Sequence, residues 1–560
     1  MKNLNKLYKL FNRFRKDQII VLCLILFKTL LTALGIFYIK YLIDAIIGHE
    51  PWNRVLELGI FILSITIINI IVQIMQNYIW HKLRHKAINY LRMKMFRSAI
   101  YKSVDFFQKN SIGETLAKVM DDVIIVAQHA SIGIPMLIAN VLRLIVVLTA
   151  LFVLNIKLGF IVVLTLPIYY LVFNYLNKQI RKASAVERKN YGNVMKDAQE
   201  KLQGINTIKI FGKEEYILNN FKETLSNYFF FVKRLLYFTS CGTGLTIVIM
   251  HCLPVVILLF GGNLAYKGEI SVGTLMAFYT FLSLIYEPVV NLSDYNLGLQ
   301  TTLGFAERIL GFLEDTEEEN EDGKNIDEIE SIEFKEVYFS YSGDKDVLRN
   351  ISFKIEKGDR VCIIGPSGSG KSTLLNLIMK FYEPTKGNIL INGIKLSEIN
   401  KKSYYKKISL MQQIPFLFNG SIKENITFGE DYSEQKLEFV SRICCILDLV
   451  NSFKERFEHI ITESGSNLSG GERQRICLAR TLIRDSQLII LDEASSSLDS
   501  AIEKEIVSNI GELIKKSDKI LIAVSHKPEI LSICNKVIRI EDGKIVNITE
   551  DANEIKMMAG

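Results

Sequence analysis

Gly365, Pro366, Ser367, Gly368, Ser369, Gly370, Lys371 and Ser372 spell GxxxxGK(S/T), and Thr373 opens a helical run behind them. The apolar stretch Arg360–Ile364 in front of the motif reads as a buried strand. The motif therefore lies where a strand passes through a glycine loop into a helix. Glycines let backbone N–H groups converge on phosphate oxygens, and a helix N-terminus adds a positive field. In such a loop Lys371 reaches the β- and γ-phosphates of ATP, and the Ser372 hydroxyl ligates Mg2+. About 120 residues further on, the apolar run Leu488–Leu491 ends in Asp492 and Glu493. Asp492 suits the magnesium shell, and Glu493 suits orienting or deprotonating an attacking water.

A second candidate anion site follows from Leu468, Ser469, Gly470, Gly471 and Glu472, which open another helix. Serine and glycine at a helix start offer a hydroxyl and free N–H groups. One nucleotide cannot easily fill both phosphate cradles within a single fold. Two chains arranged head to tail would resolve this, with each ATP lying between one chain's P-loop and the other's Ser469 segment.

These residues need a scaffold, and the chain is too long for one core at 560 residues. Apolar residues gather in about the first 300 positions and acidic ones after residue 314. Six apolar segments have the length of membrane-spanning helices, at 19–46, 55–80, 133–154, 158–178, 243–266 and 272–295. Short links alternate with two long polar excursions, 81–132 and 179–242, each interrupted by a break, at Phe106–Glu114 and Gly204–Gly212. The acidic stretch 314–328 reads as a linker, and from 329 onward short β-rich runs alternate with helices. The expected fold is an α-helical polytopic membrane domain of six transmembrane helices (1–313), the linker, and an α/β P-loop NTPase domain (329–560).

The formal charge of +7 does not point to nucleic acid, because the basic residues flank apolar runs. Lys2, Lys6, Lys9, Arg13, Arg15 and Lys16 precede the first run, and Lys82, Arg84, Lys86 and Arg92 follow the second. The opposite loops carry only Arg54, Lys157 and Lys267. This bias places the N-terminus, the long excursions and the ATPase domain on the cytosolic side of the cell membrane. The eight cysteines show no CxxC pairing, so reduced structural thiols are expected. Inside the spans, Lys28, Gln73, Gln76, Asn77, Asn140, Arg143, His251 and Glu287 are costly in lipid, and each is either a helix-to-helix bond or a functional group.

With these motifs in hand, the second half resembles the nucleotide-binding domain of ATP-binding cassette proteins, and residues 15–550 resemble a half-transporter exporter. The resemblance implies further roles. Tyr341 would stack on adenine, Gln413 would sense Mg2+ and water, Asp499 would sit in the inter-subunit loop, and His526 would be the γ-phosphate switch. The two breaks would be coupling helices, the second reaching across to the opposite chain's ATPase domain. Gln412 stands where many members have Pro or Ser, and Thr462–Asn467 is shorter than the family's usual form. The family implies ATP-driven export by alternating access as a dimer with itself or a related half-transporter. The expected substrate is a peptide or amphipathic small molecule; lipid flipping and multidrug efflux are alternatives, with import or an ATP-gated channel ranking below export. No Cys/His peptidase segment precedes the first span, so processing of a peptide is not expected.

Overall fold

The computed structural model describes residues 6, 9–314, 323–341, 345–462, 465–494, 498–551 and 554–555. Lys2, residues 315–322 of the acidic stretch, and Glu463 and Ser464 of the shortened segment lie outside these. The chain divides into two compact units, Met1–Ile100 with Ile112–Asp315, and Tyr101–Ser111 with Thr316–Gly560.

In the first unit the helices are α1 (Arg15–Ile47), α2 (Trp52–Ile100), α4 (Ile112–Ala117), α5 (Val123–Leu154), α6 (Ile156–Gln203), α7 (Ile205–Phe211), α8 (Glu214–Tyr266) and α9 (Val272–Glu314). Helix α3 (Val104–Lys109) groups with the second unit. Among the described residues four stretches are long and apolar enough to cross a membrane: Lys9–Ile47, Trp52–Ile100, Pro135–Leu154 and Val272–Val289. Helices α6 and α8 contribute the shorter apolar stretches Ile156–Thr165 and His251–Tyr266.

Local chemistry sets the helix ends. The Asn155 side chain accepts from Leu158 N at 3.0 Å and caps α6. Asp44, near the end of α1, accepts from Gly273 N at 2.9 Å and from Ser271 Oγ at 2.8 Å, tying α1 to the start of α9. The unit's main core joins α1, α5 and α9 to the N-terminal end of α6 and the C-terminal end of α8 through Ala33, Leu151, Leu158, Ile257, Phe278 and Phe281. Beyond those ends α6 and α8 pack chiefly along each other, where Tyr228 Oη donates to Glu187 and the Lys201 ammonium lies 5.3 Å from the Phe221 ring. Their outward residues Leu171, Phe230, Tyr237 and Val248 stay exposed.

The second unit carries strands β1 (Ser331–Phe339), β2 (Leu348–Glu356), β3 (Arg360–Ile364), β4 (Lys386–Ile391), β5 (Ile394–Lys395), β6 (Ile408–Met411), β7 (Gly420–Ser421), β8 (Ile460–Ile461), β9 (Leu488–Asp492), β10 (Ile520–Val524), β11 (Lys536–Glu541) and β12 (Lys544–Thr549). The six-stranded sheet runs β12-β11-β3-β10-β9-β6 and is parallel except at β12. An antiparallel sheet runs β2-β1-β4-β5.

Successive strand residues point to opposite faces, and here the two faces bury different cores. Val361, Ile363, Leu488, Ile490, Ile522 and Val524 join the core shared with β1, β2, β4 and helix α10 (Lys371–Ile378). Cys362, Ile489, Leu491, Leu521 and Ala523 join a second core, with helices α11 (Gly470–Ile483) and α12 (Ser500–Ser517). Helices α10 and α11 therefore cover opposite faces of one sheet.

The acidic stretch is not linker throughout. Ile326 and Ile329 are buried in the first of these cores. Ile326 N donates to Ser403 Oγ at 3.0 Å, and Ile329 N donates to Gln487 Oε1 at 2.8 Å. Ile326 within the stretch and Ile329 just after it dock its C-terminal end.

Candidate nucleotide site and a polar membrane cavity

Strand β3 lies between β11 and β10, which directs its C-terminal end into the glycine loop. Gly365 sits at φ +153°, and a Cβ there would meet the Ile540 carbonyl oxygen at 2.0 Å. Only glycine fits. Pro366, Ser367 and Gly368 are exposed along the loop, Ser369 and Gly370 are buried, and Ser372 is exposed in the first turn of α10. Lys371 is buried, and its Nζ donates to the carbonyls of Gly365 at 2.6 Å and Pro366 at 2.9 Å. The buried Ser369 Oγ has no hydrogen-bond partner among the described residues. A buried ammonium beside an orphaned hydroxyl and a glycine loop is a donor set that fits phosphate oxygens.

Tyr341 stands next to this loop. Its Oη is 3.1 Å from Thr373 Oγ1, and its ring meets Phe339 and Tyr382 edge-on at 4.8 and 5.2 Å. The Tyr382 hydroxyl donates to Gln108 Oε1 of α3, so a segment of the first polar excursion touches the aromatic cluster. Burial, and then the charge of Asp105, push the Tyr382 phenol up to about 12, which keeps its proton in place for that bond.

The carboxylates sit at the C-terminal end of β9, in register with β10 at Asp492 and Val524. Burial raises the Asp492 pKa, the neighbouring Glu493 adds to the rise, and Lys371 opposes it. Glu493 leaves the strand in the left-handed region at φ +47°, with its N–H donating to Val524 O at 3.0 Å. Such a conformation is strained for a residue with a side chain and tends to persist at functional sites. Gln413, just beyond β6, donates through Nε2 to Glu493 Oε2 at 2.7 Å. His526 is exposed, two residues past Val524. The parallel sheet thus brings the P-loop, Gln413, Asp492, Glu493 and His526 to its C-terminal edge.

The Ser469 segment is not brought there. Ser469 caps α11: its Oγ accepts from Glu472 N at 3.3 Å, while Ser469 N donates to Glu472 Oε2 at 2.7 Å. Gly470 and Gly471 form the first turn of the same helix. Asp499 caps α12 by accepting from Ala501 N at 3.3 Å, while Ser497, two residues before it, lies outside the described residues. Sequence reasoning missed Gln474. Buried on α11, it places Nε2 3.5 Å from the Glu493 carbonyl and so joins the capped helix to the candidate base. A glutamine among the arginines of that helix gives no local signal of burial.

In the first unit, seven of the eight polar residues flagged within the apolar runs line one cavity of about 270 Å³; His251 is not among its lining residues. Arg143 pairs with Glu287 at 2.8 Å, and the Lys28 ammonium donates to Gln73 Oε1. Gln73 Nε2 in turn donates to Asn77 Oδ1 at 3.0 Å.

Residues 18–289 match the family described as ABC transporter transmembrane region, and residues 348–496 match the family described as ABC transporter. An ATP-dependent lipid A-core flippase of Legionella pneumophila (strain Paris) is 30% identical over 463 residues, covering 82% of this chain and 78% of that protein. A lactococcin-G-processing and transport ATP-binding protein of Lactococcus lactis subsp. lactis is 28% identical over 527 residues, 93% of this chain and 74% of that one. Among solved structures, a bacterial Atm1-family ABC exporter with ATP bound shares the fold, with a TM-score of 0.82, 22% identity and 97% coverage of both chains. The chain belongs to the ATP-binding cassette transporters, as a multi-pass membrane exporter whose fused nucleotide-binding ATPase drives transport.

Proposed function

We propose that two copies of this chain, or this chain and a related half-transporter, close on two ATP molecules and that hydrolysis reopens them to complete an export cycle. The observation that carries this is the placement of the P-loop helix and the Ser469-capped helix on opposite faces of one sheet. A nucleotide touching both kinds of donor then needs a second polypeptide. Two further features support a partner. In the polar excursion α8 leaves Phe230 and Tyr237 exposed, and α7 exposes Ile210 and Phe211, 81% and 69% accessible. The second unit offers an apolar groove of about 650 Å³ lined in part by Phe416, Phe418 and Phe428. Helix α7 of one copy suits that groove on the other.

Within the site, Lys371, Ser369 and the loop N–H groups hold phosphates, and Tyr341 packs against adenine. Glu493, held by Gln413, orients the attacking water, and His526 contacts the γ-phosphate. Gly470, Gly471 and Asp499 complete the cradle from the second chain. Among the described residues no group of three or more His, Cys, Asp or Glu could hold a metal ion. Ser372, Asp492 and Gln413 are the residues that would hold Mg2+ together with phosphate oxygens, and the ion would supply charge neutralisation. The six apolar segments all span the cytoplasmic membrane, with both termini cytosolic. The cargo is a peptide or an amphipathic small molecule, a reading supported by the relative named for lactococcin G; the relatives named as lipid A-core flippases support a lipid instead.

The test is reconstitution of the purified chain in lipid nanodiscs, with Mg-ATPase measured across a panel of peptides, drugs and lipids. Hydrolysis stimulated by a subset supports the proposal. Neither hydrolysis nor ATP-dependent pairing, alone or with a partner half-transporter, would overturn it.

A further inference from the structure

We infer that Arg143 and Lys28 form a receptor for the anionic head group of an amphipathic substrate, and that Glu287 is a resident counter-ion which that head group displaces. The inference rests on the export reading and names the substrate class for it.

The argument starts from helical spacing. On α2, Gln73, Gln76, Asn77 and Trp80 fall at i, i+3, i+4 and i+7, so they share one face. On α5, Asn140 and Arg143 do the same, and Lys28 with Thr32 does so on α1. Three stripes, each set in an otherwise apolar run, converge on the same cavity, and Glu287 of α9 closes it. Burying polar groups at membrane depth is costly. A purely structural network would offset that cost by satisfying every group and balancing its charges.

This cavity does neither. Among its described lining residues two cations face one carboxylate. The carboxylate is taken by Arg143, leaving the Lys28 ammonium on an uncharged amide oxygen. The buried Gln76 Oε1 has no hydrogen-bond partner among the described residues. The ion pair is also lopsided, since the Arg143 side chain is 17% accessible and that of Glu287 60%. The cation is anchored in the bundle, while its partner stands at the mouth. A carboxylate or phosphate entering from outside can take the guanidinium in bidentate fashion and give the ammonium the anion it lacks.

The rest of the lining says what that anion is attached to. Ile25, Met136, Leu284 and Trp80 give the cavity an apolar wall beside the charges. Its volume of about 270 Å³ lies just below the range of about 300–1,000 Å³ that holds a whole drug-sized ligand. It fits a head group whose apolar remainder lies outside, along the bundle. A cationic cargo would meet an excess of positive charge here.

The test uses the full-length chain in phosphatidylcholine nanodiscs. The sequence has two tryptophans, so Trp52→Phe leaves the cavity-lining Trp80 as the fluorescence reporter. Four probes are titrated: dodecyl phosphate, N-dodecanoylglycine, its neutral glycinamide, and dodecyltrimethylammonium. Both anions should change Trp80 emission saturably, and the glycinamide and the ammonium should not. Lys28→Gln and Arg143→Gln should each weaken anion binding by about tenfold or more. Glu287→Gln should tighten it by about three- to tenfold, because the resident competitor is gone. Preference for the phosphate assigns a lipid-type head, and preference for the carboxylate a peptide-type terminus; either supports the receptor.

Equal binding of all four probes, or weaker anion binding in Glu287→Gln, overturns it. Should Arg143→Gln fail to fold, Lys28→Gln and Glu287→Gln decide the matter, since they must move affinity in opposite directions. ATPase rates on the same nanodiscs keep the two proposals apart. Anion binding that needs Lys28, in a protein showing no ATPase activity, would leave the receptor standing and overturn the export cycle. Stimulation by the ammonium probe, unaffected by Lys28→Gln, would do the reverse.

Discussion

The Gln413 side chain donates to Glu493 Oε2 at 2.7 Å, so the residue read as the magnesium sensor also fixes the carboxylate read as the base. Replacing Glu493 with Gln keeps shape and removes the charge. Glu493→Gln is expected to lower hydrolysis by about 10²–10³-fold, the usual loss for a key transition-state group. ATP binding, read by nucleotide-dependent pairing, should survive. Normal turnover in that variant would assign the base elsewhere.

Gln474 offers a second handle on the same group, from behind. Gln474→Ala removes the side-chain amide that reaches the Glu493 carbonyl at 3.5 Å. Misplacing the base without changing its chemistry should lower kcat by about ten- to a hundredfold. The KM for ATP should hold, a split that steady-state kinetics reads directly.

Two loop glycines should respond differently to alanine. A Cβ at Gly365 would overlap the Ile540 carbonyl, whereas one at Gly368 meets nothing within 4 Å. Gly365→Ala is expected to cost about 3 kcal/mol or more, enough to unfold the nucleotide unit. Gly368→Ala at φ +79° should cost about 1–2 kcal/mol and fold, with weakened ATP affinity. Thermal melts and nucleotide titrations separate the two effects.

The raised pKa of Asp492 has a sign that can be checked. An acid whose pKa rises on folding costs stability at pH values above the raised pKa. That cost fades as pH falls toward the unfolded value of about 3.9. In EDTA, Asp492→Asn should therefore raise Tm at pH 7 and lose that advantage in acid, while abolishing Mg-dependent hydrolysis. A lower Tm at pH 7 would mean the carboxylate is stabilising.

Tyr382 links α3 to the aromatic cluster around Tyr341. Tyr382→Phe removes the hydroxyl and keeps the ring contacts. Basal ATPase activity should stay near wild type, with its stimulation by cargo reduced. Stimulation at the full level would show that this hydrogen bond carries no signal.

Where the candidate nucleotide residues lie in the fold was largely legible because each sits in a short stretch whose local pattern fixes its place. Arg360–Ile364 could hardly be anything but a strand feeding the glycine loop, and Ser469 with Glu472 announces a helix start. What local pattern cannot carry is proximity between distant segments. Gln474 looks solvated among arginines, and only the folded chain brings it to Glu493. Lys28, Gln76 and Glu287 were ambiguous one by one, and their meaning comes from the shared cavity. Composition misled once, at 314–328. Acidic residues dominate the count there, yet Ile326 is buried in a core, next to Ile329 just beyond the stretch.

The capping serine of α11 commits only part of its hydroxyl. The oxygen's lone pairs serve the Glu472 amide, while its hydrogen remains available for another acceptor. An incoming oxyanion from a neighbouring polypeptide could be latched by that hydrogen without unwinding a single turn. Engagement and release at this contact would then leave the cap of α11 untouched, and losing the anion would free it.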